Sequence, residues 1–183
     1  MGSVRTEMDT MGPVEVPEDR YYGAQSARSL HYFNIGSESF SRPFIKAFGI
    51  LKKACAQANL ELETLDKSKA ELIVKAADEV IKGQLDDHFP LSVWQTGSGT
   101  QTNMNVNEVI CNIASRRLNN PLGSHNPIHP NDHVNCSQST NDVFPAAIQI
   151  ATIVTLKDTL IPELKKLIDV FHQKSKDWKD IIK

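Results

Sequence analysis

The chain is short of several features that would each point to a function. Its 183 residues hold three cysteines, an odd number with no Cys-x-x-Cys pair. Cys55, Cys111 and Cys136 therefore read as reduced thiols of a cytosol-like compartment, not as a disulfide framework. Lysine and arginine number 20 against 22 aspartates and glutamates, a net charge of −2. No global basic field draws the chain to nucleic acid or to a membrane surface. No apolar run is read as long enough to span a bilayer. There is no secretory h-region, and no Arg-rich presequence either, because Glu7 and Asp9 come early. GxGxxG, a Walker Gly-Lys-Ser/Thr and a Gly-x-Ser-x-Gly elbow are all absent, which argues against a nucleotide loop and a hydrolase nucleophile. No internal repeat or low-complexity tract occurs.

What is present is ordinary in bulk. Apolar residues make up 40% and charged residues 23%, as in soluble globular proteins. The length allows one substantial core, or one domain with part of another. Residues 1–40 lack helical periodicity. Gly12-Pro13, Pro17 and Gly23 break helices, and the Val14/Val16 alternation suits one short extended piece. Arg5, Arg20 and Arg28 are spread through this arm, within reach of an acidic substrate but more readily read as solvated or paired.

Helical order is expected from Ser41, with Pro43 in the first turn. Phe44, Phe48, Leu51, Cys55, Ala58 and Leu62 form one stripe. A second helix is expected to open at Asp66 or Ser68, with Ser68 and Glu71 as a capping box. Ile73, Ala76, Ala77 and Val80 form its apolar face, and Gly83 its stop. A third carries Val106, Val109, Ile110, Ile113 and Leu118. A fourth, Val143–Leu156, is capped by Asn141 or Asp142 with Pro145 in its first turn. It is apolar on most sides, which argues for burial among other helices. Pro162 should kink it or mark a new start at Leu160 or Ile161. The expected fold class is mainly α: an extended arm, then four or five helices joined by polar loops.

Two of those loops carry the chemistry. Thr96–Thr100 is small, glycine-bearing and hydroxyl-rich, and it runs straight into a helix, where amides and the helix dipole favour an anion. His129–Asp142 is polar at nearly every position and also feeds a helix. Metal sites are poorly supported. Asp86, Asp87 and His88 are adjacent rather than on one helical face, and Pro130 separates His129 from His133. A triad drawn from Ser137, Ser139, Thr140 and the two histidines lacks its elbow. Hydroxyls, amides and helix N-termini suit a cradle for a dicarboxylate or an amino acid. A plain structural loop remains the alternative for either stretch.

The text Gly-Ser-Gly-Thr-Gln-Thr-Asn-Met-Asn-Val-Asn-Glu at 97–108 and His-Pro-Asn-Asp-His-Val-Asn…Ser-Gln-Ser-Thr-Asn-Asp at 129–142 resembles the fumarase/aspartase superfamily, and within it the class II fumarases. The arm text Glu-Met-Asp-Thr-Met-Gly-Pro-Val-Glu-Val-Pro, then Tyr-Tyr-Gly-Ala-Gln, and later Phe-Pro-Leu-Ser-Val-Trp-Gln-Thr, are similar too. The resemblance covers essentially the whole chain. It implies an N-terminal helical domain over 1–139 and the start of a central helical-bundle domain over 140–183. It implies a hydro-lyase of the tricarboxylic acid cycle that hydrates fumarate reversibly to (S)-malate, without a cofactor or a metal. The implied setting is the cytoplasm, as a homotetramer, with no nucleic-acid or membrane partner.

By the family's pattern, Ser98, Gly99, Thr100, Ser139, Thr140 and Asn141 bind the substrate carboxylates. His129, Pro130, Asn131 and Asp132 form a second dicarboxylate site. The catalytic His of a Gly-Arg-Thr-His-Leu motif and the Ser of a Gly-Ser-Ser loop are expected beyond Lys183, so residues 1–183 alone are expected to be inactive. Asn126-Pro127 stands where many fumarases have basic residues, which predicts a weaker second site. Thr140 replaces the commoner Ser, an aspartase-like spelling, whereas Ser98 departs from the Ala usual in aspartases. An aspartate ammonia-lyase and a non-catalytic dicarboxylate-binding or assembly domain remain the alternatives.

Overall fold

The computed structural model describes residues 2–182. The arm is a hairpin of β1 (Val4–Asp9) and β2 (Gly12–Pro17), paired antiparallel from Val4 opposite Pro17 to Asp9 opposite Gly12. Gly12 leaves the turn at a φ of 104°, a conformation open to glycine and strained for other residues. The arginines of the arm serve the fold. Arg5 pairs with Glu7 and donates to the carbonyls of Pro17, Arg20 and Tyr22. Arg28 forks onto Asp9, 2.7 and 2.9 Å from its two carboxylate oxygens.

The helix α1 (Ala24–Tyr32) was not expected. Its core-facing residues include Ser26 and Ser29, so no apolar period marks it. Its N-terminus is satisfied from outside. Glu108 accepts from the amides of Gly23, Gln25 and Ser26 and from Ser26 Oγ, at 2.6 to 3.2 Å. Glu7 accepts from the amide of Ala24.

The core is built from α2 (Arg42–Glu61), α3 (Lys67–Lys82) and α4 (Thr100–Arg117). On α3 the expected face is buried, and Gly83 ends the helix with φ at 78°. The helix takes the Asp66 start, two residues before Ser68, so the Ser68–Glu71 capping box is not formed. On α2 the buried face is rotated from the expected one. Phe44, Phe48, Lys52, Ala56 and Asn59 are buried, while Ala58 and Leu62 are exposed. The polar Lys52 and Asn59 go inward because they meet a polar loop, which a purely apolar count cannot see. Central in the fold is α4, buried from Thr102 through Ser115.

The last element is one helix from Thr140 to Asp177. It consists of α5 (Thr140–Thr155), a wide π-type turn over Leu156–Leu160, and α6 (Ile161–Asp177). The wide turn precedes Pro162, which has no N–H for the preceding turn and whose ring crowds the carbonyl four residues back, and the wider turn relieves that crowding. Two expectations are corrected here. The helix starts after Ser139, with neither Asn141 nor Asp142 as its cap, and Pro145 lies in its second turn. Burial is also far less than its apolar sequence implied: only Val143 and Ala147 are buried in α5, and no residue in α6.

By length and composition this helix is apolar enough to cross a bilayer, contrary to the reading of the sequence. Lys157, Asp158, Glu163, Lys165 and Lys166 stand near its middle, however, where hydrocarbon would leave them unsolvated.

Candidate active site

Each predicted carboxylate-binding segment begins a helix. Gly99 precedes α4 with φ at 71°, and Ser139 precedes α5 in extended conformation. Neither helix start is capped by a side chain of its own capping residue. The loop before α4 is shaped by Gln95. Its Oε1 accepts from Thr102 N at 3.0 Å, and its Nε2 donates to Thr102 Oγ1 at 2.8 Å. Along the loop, Ser98 Oγ lies 3.2 Å from Thr96 Oγ1 and 3.0 Å from Thr100 Oγ1. Ser98 and Thr100 face solvent, and Gly99 is buried.

Phe144 brings the two segments together. Its ring lies edge-on to Phe44 at 5.3 Å and to Phe40 at 5.9 Å, which docks α5 against α2. The same ring lies against Gly99: a Cβ placed there would meet ring carbons at 2.1 to 2.5 Å. Asn103, in the first turn of α4, donates from Nδ2 to Thr140 Oγ1 at 2.9 Å. Ser98–Thr100 and Ser139–Asn141 are therefore neighbours, set at two adjacent helix N-termini. Hydroxyl, amide and helix-dipole donors gather there, which suits a carboxylate. None of the five side chains of these residues titrates near neutral pH. The wall can hold an anion but cannot move a proton.

The predicted second site is a π-type turn, Pro130–Val134, opening after His129. His129 Nδ1 accepts from the amide of Asp132 at 3.1 Å, and Asn131 and Asp132 are exposed. Pro130 is buried and shapes the turn. His133 Nδ1 accepts from the amide of His129 at 2.8 Å, which leaves the neutral ring's proton on Nε2. That Nε2 lies 3.0 Å from Lys69 Nζ, so two donors face one another. Burial lowers the His133 pKa, and the Lys69 charge lowers it further. His125 stacks edge-on against His129 at 4.9 Å. The positive group here is Lys69 on α3, in place of basic residues at 126 and 127, because burial lowers the His125 pKa and favours its neutral ring. Only folding shows this, because Lys69 is sixty residues away in sequence.

His88 is structural: its Nδ1 accepts from the amide of Tyr21 at 3.0 Å. Among the described residues, no group of three or more His, Cys, Asp or Glu is placed to hold a metal. The catalytic motifs expected after Lys183 lie outside the described residues. Four polar residues around the wall escaped the reading of the sequence: Lys52, Asn103, Asn107 and Asn135. The available signal was Lys52 at helical spacing from Phe44 and Phe48.

Similarity to known proteins runs along nearly the whole chain. A family model described as lyase matches residues 12–183. The class II fumarate hydratase of Thermosynechococcus vestitus is 56% identical over 179 residues, covering 98% of this chain and 38% of that relative. The mitochondrial fumarate hydratase of Homo sapiens is 56% identical over 183 residues, covering 99% and 36%. The solved structure of recombinant class II fumarase from Schistosoma mansoni matches with a TM-score of 0.92 at 41% identity, over 96% of this chain and 37% of that one. The chain thus spans well under half the length of these relatives. Matching the family model from the hairpin turn onward, the chain belongs to the lyase family and corresponds to the N-terminal part of the class II fumarate hydratases it resembles.

Proposed function

We propose that this chain is the N-terminal part of a class II fumarate hydratase and supplies one carboxylate-binding wall of its active site. The observation that carries the reading is the pairing of two helix N-termini, bearing Ser98–Thr100 and Ser139–Asn141 and tied by Asn103 and Thr140. In dehydration of malate, a base takes a proton from the methylene carbon. The electron pair passes onto the adjacent carboxylate, which becomes an aci-carboxylate dianion. The C–O bond then breaks, and the hydroxyl leaves as water after protonation. The demanding species is the dianion, and preorganised donors around it are the largest catalytic contribution. Ser98, Thr100, Ser139, Thr140 and Asn141 are those donors on this chain. Acid and base come from residues beyond Lys183.

His129, Pro130, Asn131 and Asp132 form the accessory dicarboxylate site in this reading. Lys69 Nζ and His133 Nε2 lie 3.0 Å apart, too close to hold an anion between them, but both can donate to one bound alongside. Residues 1–139 are the N-terminal domain, and 140–183 begin a central helical domain. The enzyme works in the tricarboxylic acid cycle, in the cytoplasm.

The test is turnover by the full-length protein carrying these residues. Malate should yield fumarate, followed by the ultraviolet absorbance of its conjugated double bond, and residues 1–183 alone should yield none. Release of ammonia from aspartate without malate turnover would make the protein an aspartate ammonia-lyase instead. Binding of malate without either reaction would leave a dicarboxylate-binding domain.

The bare helix supports assembly into a homotetramer. Leu160, Leu164, Leu167 and Phe171 are exposed along it, and a helical bundle of four copies would bury them. Leu167→Asp in the full-length protein should reduce the tetramer to smaller species in analytical ultracentrifugation. A tetramer that survives both Leu167→Asp and Leu164→Asp would count against this interface.

A further inference from the structure

Beneath the wall lies a buried lysine with no role in the scheme above. Lys52 is 0% exposed. Its Nζ donates to Asn135 Oδ1 at 3.0 Å and to Gln138 Oε1 at 2.8 Å. Among the described residues no carboxylate pairs with it. Burying an amine without a counter-charge is unfavourable, and burial lowers its pKa to about 7. An apolar side chain would fill the position without that penalty, but it would leave Gln138 Oε1 without its donor and remove one of the three donors to Asn135 Oδ1.

Asn135 is the hub. Its Oδ1 also accepts from Asn103 Nδ2 at 3.1 Å and from Asn107 Nδ2 at 3.3 Å, and its Nδ2 donates to the Gln138 carbonyl at 3.1 Å. Gln138 Nε2 in turn donates to the carbonyls of Val134 and Cys136. The amine thus grips both ends of the turn 135–138 that delivers Ser139–Asn141. Asn103 Nδ2 is shared between Asn135 and Thr140 Oγ1. Thr140 accepts that bond, so its own O–H remains free to donate to a carboxylate.

We propose that Lys52 is a positioning residue of the active site, holding the turn 135–138 and, through Asn135 and Asn103, aiming the Thr140 hydroxyl at the substrate. The proposal rests on the reading of Ser139–Asn141 as a substrate wall. Lys52 touches no substrate itself. Without its amine Gln138 Oε1 loses its donor and Asn135 keeps only its bonds to Asn103, Asn107 and the Gln138 carbonyl, so the turn loosens and the Thr140 hydroxyl is held less firmly.

Two measurements on the full-length protein test this. In Lys52→Met, amide hydrogen exchange over residues 135–141 should rise at least about tenfold, with α3 unchanged. The same variant should lower kcat/KM for malate about tenfold, most of it in kcat, because the loosened donor serves the dianion more than the ground-state carboxylate. Combining Lys52→Met with Thr140→Val should lower kcat/KM no further than the larger single effect. Multiplying effects would show that Lys52 does not act through Thr140 and would overturn the proposal. So would unchanged exchange and kcat/KM in Lys52→Met. Should that variant not fold, Gln138→Met removes one acceptor of the amine and should still loosen 135–141, and unchanged exchange there overturns the proposal. A wild-type protein that cannot turn over malate defeats the fumarate hydratase reading, and the exchange arm then decides whether Lys52 holds the turn.

Discussion

Gly99→Ala is expected to damage the protein more than any other single-methyl change. A side chain at φ 71° strains the backbone, and a Cβ there would lie 2.1 Å from the Phe144 ring. The backbone strain costs about 1–2 kcal/mol, and forcing a methyl into packed surroundings about 1–3 kcal/mol more. The sum is a large share of the roughly 5–15 kcal/mol that holds a domain folded. Relief requires Phe144 to withdraw, which separates the helix starts bearing Ser98–Thr100 and Ser139–Asn141. Urea denaturation should therefore show a midpoint well below wild type, and KM for malate in the full-length protein should rise. Phe144→Leu in the same chain should recover part of the loss, because the clash shrinks while the backbone strain remains. A wild-type denaturation midpoint in Gly99→Ala would refute the claim that this contact sets the spacing of the wall.

The second large effect belongs to Glu108. Its carboxylate is buried and accepts four hydrogen bonds from the start of α1. Glu108→Ala leaves those donors without an acceptor, at about 1–3 kcal/mol for each one that water cannot reach. Loss of about 3–5 kcal/mol is expected, with α1 and the hairpin loosened first. Glu108→Gln keeps the shape and part of the bonding and should cost less.

The same residue gives the stability a pH dependence. Burial pushes its carboxyl up to about 7 from the ordinary 4.5, against the pull of Ser26 and the amides of Gly23, Gln25 and Ser26. Between those values the folded chain keeps a proton that the unfolded chain has lost. This contribution to stability is full below pH 4.5 and declines as pH rises through about 7. Denaturation midpoints measured from pH 5 to pH 8 should show that decline in wild type and less of it in Glu108→Gln. Equal slopes in the two proteins would exclude Glu108 as its source.

The helical core was legible wherever apolar residues alone face inward. On α3, Ile73, Ala76, Ala77 and Val80 recur at helical spacing and all four are buried, with Gly83 closing the helix as expected. Legibility failed where polar residues face inward. Ser26 and Ser29 hid α1, and Lys52 and Asn59 turned the buried face of α2 away from its most apolar stripe. The long final helix failed in the opposite sense: its apolar residues were read as buried, and most are exposed in the single chain.

Composition, punctuation and two long polar motifs were enough to place the chain in a mainly helical lyase family and to single out the two hydroxyl-rich helix starts proposed as the wall. Those properties are local: turn residues, helix starts and hydroxyl-rich text act within a few positions of one another. How the halves meet is not local. Gly99 and Phe144 are 45 residues apart, and Lys52 and Asn135 are 83 apart. Packing alone closes such distances, because an aromatic ring or a buried amine settles where its partners lie in space, and those partners leave no periodic mark along the chain.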